Sequence, residues 1–105
     1  MIARIWHGVT LAVKADDYLR FLLARAVPEY SATPGNRGAY VLRRFSGDRA
    51  HFVTLTFWDS REAIAAFAGG EIDRAKYYDE DRDFLLEMEP TVEHFEAEGP
   101  EPAPA

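Results

Sequence analysis

Three histidines, His7, His51 and His94, are the side chains of this chain that titrate near neutral pH, and each can act as a general base. No two of them stand four residues apart, so the helix-borne pair that seeds many zinc sites is missing and no metal site is expected. The sequence has no phosphate loop, no Ser-His-Asp arrangement with a nucleophile elbow, and no cysteine to serve as nucleophile or thiolate ligand. What remains is aromatic and hydroxyl chemistry. Trp58 shares one strand face with Thr54 and Thr56, two small residues that leave room beneath a covering helix. That set reads as a pocket wall for an aromatic ligand, or as a core plug at the sheet–helix junction. Tyr40, Tyr77 and Tyr78 can orient a phenolic substrate, although Tyr77 and Tyr78 also read as a patch capping the second helix. For His7 and His94 the plainer alternative is a half-buried imidazole bonded to backbone. His51, beside a hairpin link, is expected to be solvated. Glu93 and Glu96 flank His94 and predict that its protonated form is favoured, which leaves His7 as the better neutral base.

Composition narrows the classes. The chain has 105 residues and net charge −6, which fits one domain with its own core. Residues 1–78 carry 11 Lys+Arg against 8 Asp+Glu, whereas residues 79–105 carry 1 against 10. Arg43-Arg44 is too small a basic cluster for phosphate backbones, so no nucleic acid partner is expected. No apolar run approaches the ~20 residues of a membrane span, and the first residues lack the pattern of a signal peptide. A cytoplasmic protein without membrane contact is the expectation. The acidic run 79–83 reads as a solvated surface.

The elements that must position these residues follow from periodicity. Residues 2–9 read as a strand. Leu19, Leu22, Leu23, Ala26, Val27 and Tyr30 fall at three- and four-residue spacings on a helix from Ala15 to about Tyr30, bent at Pro28 with one further turn at most. Residues 37–46 and 50–58 read as a hairpin around Ser46-Gly-Asp-Arg49. Ser60 caps a helix with Ala63, Ile64, Phe67 and Ala68 on its apolar face, stopped by Gly69-Gly70. Between 71 and 88 the apolar residues allow short helical turns on either side of the acidic run. Thr91 to about Ala97 reads as the last strand. Residues 1–98 thus form the domain, and 99–105, rich in proline, a disordered tail.

The order βαββαβ gives an α+β, ferredoxin-like antiparallel sheet with helices on one face. That leaves the other face to water, yet it is not polar. Val53, Leu55 and Phe57 oppose Phe52, Thr54, Thr56 and Trp58 on the third strand, and Tyr40 and Leu42 oppose Ala39, Val41 and Phe45 on the second. A sheet apolar on both sides needs a second cover, and a homodimer is the simplest one.

Phe52-Val-Thr-Leu-Thr-Phe-Trp58-Asp-Ser60-Arg-Glu-Ala63, followed by Phe67, resembles the third strand and second helix of the antibiotic biosynthesis monooxygenase-like family. So do Ile2-Ala-Arg4-Ile-Trp6, Pro34-Gly-Asn-Arg37-Gly38 and Val92-Glu-His94-Phe95, and the resemblance spans about residues 2–97. It implies a dimeric α+β barrel in which two sheets meet face to face. Some members oxidise quinol- or anthrone-like substrates with O₂ and need neither flavin nor metal, so no cofactor is expected and the partner is a small aromatic or hydrophobic molecule. On that resemblance Trp58 walls the substrate ring, His7 or His94 takes the proton, Tyr40 positions an oxygen, and Thr54, Thr56 and Tyr77 line the site. Other members degrade haem with a histidine ligand on the stretch after the tryptophan. Here that stretch reads Glu71-Ile-Asp-Arg-Ala-Lys-Tyr77-Tyr78, which argues against haem degradation. Further members have no demonstrated catalysis, so a ligand-binding or stress-response dimer is the alternative. A purely structural domain is the third, and it requires Thr54, Thr56 and Trp58 to be fully packed.

Overall fold

Burial alternates residue by residue along the third strand and along the first from Arg4 onward, as a sheet covered on one side requires. The structure is a computed structural model and describes residues 1–100. Strand β1 (Ile2–Leu11) runs into a short 3₁₀ turn and then α1 (Ala15–Phe21), a π turn (Leu22–Ala26) and α2 (Val27–Ala32). Strands β2 (Asn36–Ser46) and β3 (Arg49–Trp58) form a hairpin, followed by α3 (Arg61–Ala68), a 3₁₀ turn (Asp79–Asp83) and β4 (Glu93–Glu96). The sheet order is β2-β3-β1-β4, all neighbours antiparallel, with the helices on one face. This is the expected ferredoxin-like α+β arrangement.

Local chemistry explains the elements. Ser60 accepts a hydrogen bond from the Ala63 N–H at 3.2 Å and caps α3, and Gly69, at φ 91°, ends it. Gly35 is also left-handed, and a Cβ there would lie 2.5 Å from the Ala63 methyl, so only glycine lets the β2 approach press on α3. Pro28 has no N–H and its ring crowds the carbonyl four residues back. The chain answers with the π turn, in which the Val27 N–H reaches the Leu22 carbonyl, and the helix then completes one more turn.

Three expectations need correction. The helical turn of the 71–88 region is the acidic run itself, not its apolar flanks, and it is not solvated throughout. Asp81 is 3% exposed. The last strand is shorter than expected, pairing only with Ile2–Ile5 of β1. Beyond that point the β1 edge is covered by an irregular segment, where the Leu86 N–H meets the Val9 carbonyl and Leu85 bridges Thr10. The expected tail at 99–105 lies, for 101–105, outside the described residues.

The core fills the space between sheet and helices. Trp6, Phe52 and Trp58 from the sheet meet Tyr18, Leu22, Ala26 and Tyr30 from the first helical segment and Ile64 and Phe67 from α3. The opposite face carries Ile5, Val53, Leu55 and Phe57, all half-buried, with Leu42 and Phe95 about half exposed. No helix among the described residues is long and apolar enough to cross a membrane.

Candidate functional site

The strand registers sort the candidate residues between the two faces of the sheet. Trp58, Thr56 and Thr54 alternate inward on β3, beneath the helices, and all three are sealed at 3% exposure or less. The Trp58 indole N–H donates to Thr56 Oγ1 at 2.8 Å, and Thr56 in turn donates to the Arg4 carbonyl at 3.4 Å. Thr54 shares a 3.2 Å hydrogen bond with the Tyr30 hydroxyl. His94 stands opposite Arg4 on the same face, but at its edge. His7 and Tyr40 point the other way, to the open face, where His7 stands opposite Val53 and Tyr40 opposite Leu55. The two candidate bases therefore do not share one site. Tyr77 packs edge-on against Trp6 at 6.2 Å, and its hydroxyl donates to the Glu89 carbonyl at 2.5 Å. Tyr78 donates to Glu29 at 2.5 Å, so this tyrosine pair leans on the first helical segment rather than on the second helix.

Around Thr54 and Tyr30 the helix face holds a void of about 10 Å³, room for one water molecule. Trp6, Tyr18, Leu22, Ala26, Lys76, Tyr78 and Asp81 complete its wall. The Tyr18 hydroxyl donates to Asp81 Oδ1 at 2.8 Å, and the Tyr78 N–H donates to Asp81 Oδ2 at 2.7 Å. Burial raises the Asp81 carboxyl above its ordinary range, although the bonds from Tyr78 and Tyr18 pull the other way. Burial likewise raises the Tyr18 phenol, helped by the Asp81 charge, and raises the Tyr30 phenol against the Thr54 bond and Arg4. Both phenols remain donors at neutral pH. Two wall members come from the π turn, a helical defect that recurs at functional sites.

Tyr18, Tyr30 and Asp81 were not among the sequence candidates. A signal for the tyrosines existed: positions 18, 22, 26 and 30 fall on one helical stripe, and all four are buried. For Asp81 there was none, because a carboxylate inside an acidic run looks like any solvated one.

Segment 69–92 closes this side. Arg4, 2% exposed, donates through Nη2 to the carbonyls of Arg74 at 3.1 Å and Ile72 at 3.4 Å, and lies over the Phe67 ring. Burial lowers its pKa, with Tyr30 and Asp73 opposing. Lys76 pairs with Glu29 and donates to the Phe67 carbonyl, and Arg25 pairs with Glu80 at 3.0 Å. Burial opposes ionisation of Glu29, but the bonds from Lys76 and Tyr78 carry its pKa below the ordinary value.

His94 reverses its expectation. Burial pushes its pKa down, the Asp73 bond resists, and Arg4 and Arg61 add to the fall. Its side chain is 3% exposed, and Nδ1 meets Asp73 at 2.9 Å while Nε2 has no partner. The imidazole is thus held neutral, not protonated by its acidic neighbours in sequence. His51 is not freely solvated either, because its Nδ1 lies 3.2 Å from His7 Nε2. Among the described residues no three metal-ligating side chains converge.

A ferredoxin-like α+β domain with a small polar void set in an aromatic core is the class this geometry defines. The model of the antibiotic biosynthesis monooxygenase family matches residues 11–74, and the chain belongs to that family. No curated protein matches it. Among solved structures it is similar to the heme-degrader MhuD from Mycobacterium tuberculosis (21% identity, TM-score 0.58, covering 92% of this chain and 95% of that one). It is also similar to NE2512, a protein of unknown function from Nitrosomonas europaea (19%, TM-score 0.61, 99% and 94%). A third is Rv0793 from Mycobacterium tuberculosis (18%, TM-score 0.57, 94% and 96%). At these identities the likeness is one of fold.

Proposed function

We propose that the chain is a homodimeric oxygenase that oxidises a small aromatic, anthrone- or quinol-like molecule with O₂ and without a bound cofactor. The observation that carries this reading is the Tyr18–Asp81 pair on a void beneath Trp6 and Thr54. A carboxylate lifted by burial is a stronger base than a solvated one, and Asp81 takes a proton from the substrate carbon. The Tyr18 and Tyr30 hydroxyls then donate to the oxygen on which the anionic charge collects. The electron-rich anion gives its electrons to O₂. For an anthrone, the ring CH₂ loses two hydrogens and gains one oxygen as a ketone, and the second oxygen atom leaves as water. Thr54 and Trp6 form the floor, with Trp58 and Thr56 packed outside the void, and aromatic walls keep water from the anion.

The void holds one water, so substrate enters when segment 69–92 parts from the π turn and α2. The Lys76–Glu29, Tyr78–Glu29 and Arg25–Glu80 contacts are the latch. His94, oriented by Asp73, stands at the edge of the same face as a second proton acceptor, while His7 and Tyr40 lie outside this pocket. Haem does not suit it: no histidine lines the void to ligate an iron, and the Tyr77 hydroxyl is bonded to the Glu89 carbonyl.

The sealed state of Thr54, Thr56 and Trp58 favours a second reading, a structural role without turnover. Oxygen uptake across a panel of anthrones and quinols separates them. Uptake that falls about 10²-fold in Asp81→Asn supports the oxygenase reading. No uptake above buffer with any member of the panel rejects it.

A further inference from the structure

The void on the helix face has a rim built to hold a carboxylate. Glu29, in the first turn of α2, presents its side chain to two donors on segment 69–92. Lys76 Nζ donates to Oε1, and the Tyr78 hydroxyl donates to Oε2 at 2.5 Å. One donor on each oxygen, one of them charged, is a way to grip any free carboxylate ion. Lys76 and Tyr78 both line the void, whereas Glu29 stands outside its wall. The chain's own carboxylate thus fills a cradle that opens onto the pocket.

Both donors have anchors besides Glu29. Lys76 also donates to the Phe67 carbonyl at 3.1 Å, and its ammonium lies 4.3 Å from the centre of the Phe67 ring. The Tyr78 N–H donates to Asp81 Oδ2 at 2.7 Å. These anchors lie on α3 or on the segment itself, so they survive when α2 moves away. Glu29 and Lys76 are both partly exposed, and the Glu29 side chain can turn out to water. When segment 69–92 parts from α2, Lys76 and Tyr78 lose their carboxylate. An incoming acid restores both bonds and the charge balance, whereas a neutral molecule leaves an ammonium and a hydroxyl unmatched. Asp81, on the same wall, repels a second carboxylate, and its own donors are Tyr18 and the Tyr78 N–H. The acid group therefore goes to the Lys76 rim and leaves the ring of the ligand beside Asp81.

We propose that Lys76 and Tyr78 are the acid-binding end of the pocket, occupied by Glu29 as an internal stand-in until an aromatic acid displaces it. The carboxylate of the ligand takes the place of Glu29, and its ring enters between Trp6 and Tyr30. On the oxygenase reading, on which this rests, the substrate is then an anionic aromatic molecule rather than a neutral one. Glu29 acts as the competitor that an acid must displace. Lys76 and Tyr78 set the specificity, because donors built for a carboxylate reject an analogue that lacks one.

Calorimetric titration of the full chain with 1-naphthoate and with its neutral isostere 1-naphthamide, at pH 7 and fixed salt, is the test. In Glu29→Ala the internal competitor is gone. That variant is expected to bind 1-naphthoate at least about tenfold more tightly than the parent chain does, and at least about tenfold more tightly than it binds 1-naphthamide. Glu29→Gln keeps an oxygen for Tyr78 but no charge for Lys76, and it shows the same direction should Glu29→Ala fail to fold. Adding Lys76→Gln to either variant removes the preference for the acid. Equal affinity of the acid for the parent and the folded Glu29 variant overturns the proposal. Equal affinity of acid and amide for that variant, or the absence of saturable binding, overturns it as well. Binding is read without turnover, so an acid that fails to bind rejects the Lys76–Tyr78 cradle alone, and absent oxygen uptake rejects the oxygenase reading alone.

Discussion

Tyr18 donates to Asp81 inside a shell of rings formed by Phe52, Phe21 and Phe84, and neither group is more than 3% exposed. A buried carboxylate that loses one of its two donors keeps its desolvation cost, so Tyr18→Phe should lower stability by about 1–3 kcal/mol in urea titration. His94 makes a pH-dependent contribution of definite sign. Its folded pKa lies below the unfolded one, so the unfolded chain binds the extra proton. The stability it supplies is complete above the ordinary histidine value of 6.5 and is lost as pH falls below it. Urea midpoints should therefore decline from pH 7 to pH 5 in the parent chain and decline less in His94→Gln. Glu29, with its lowered carboxyl, acts in a separate and more acidic window. At this scale the sequence was half legible. A period of two placed Thr54, Thr56 and Trp58 on one face. It could not bring Asp81 inward, because that depends on Tyr18, 63 positions away.

Among the elements, the first three strands, both helices and their stops were readable because their causes are local: Ser60 beside its helix, glycine at 69, proline at 28. Segment 69–92 was not readable, because what fixes it is remote. Its carbonyls at 72 and 74 are held by Arg4 from the middle of the sheet, and its lysine by Glu29. Arg4→Met should release it. A charged hydrogen bond contributes about 1.5–3 kcal/mol. Trypsin cleavage after Arg74 and Lys76 should accordingly rise by roughly tenfold or more, with circular dichroism of the sheet and helices preserved.

For the whole molecule, the proposed assembly falls to the open face and the proposed chemistry to the helix face. Leu55 sits near the centre of the open face, flanked by Ile5 and Tyr40 on the adjoining strands. If two copies cover each other there, sedimentation should give roughly 24 kDa, twice the 11.9 kDa chain, and Leu55→Arg should give the single chain with its fold intact. Leu42 and Phe95 stand about half exposed on that face of the single chain, and the two-sided apolar pattern was visible from sequence. The separation of His7 from His94 was not, since it depends on which strand positions face inward and on β4 pairing only the first residues of β1. The central claim is that a helix-face pocket with Asp81 as base inserts one atom of O₂ into an aromatic substrate. Turnover of an anthrone under ¹⁸O₂, followed by mass spectrometry, tests it most directly. The account predicts one ¹⁸O in the ketone product, with label and product both falling in Asp81→Asn. A product without label, or labelled product formed equally by Asp81→Asn, would contradict it.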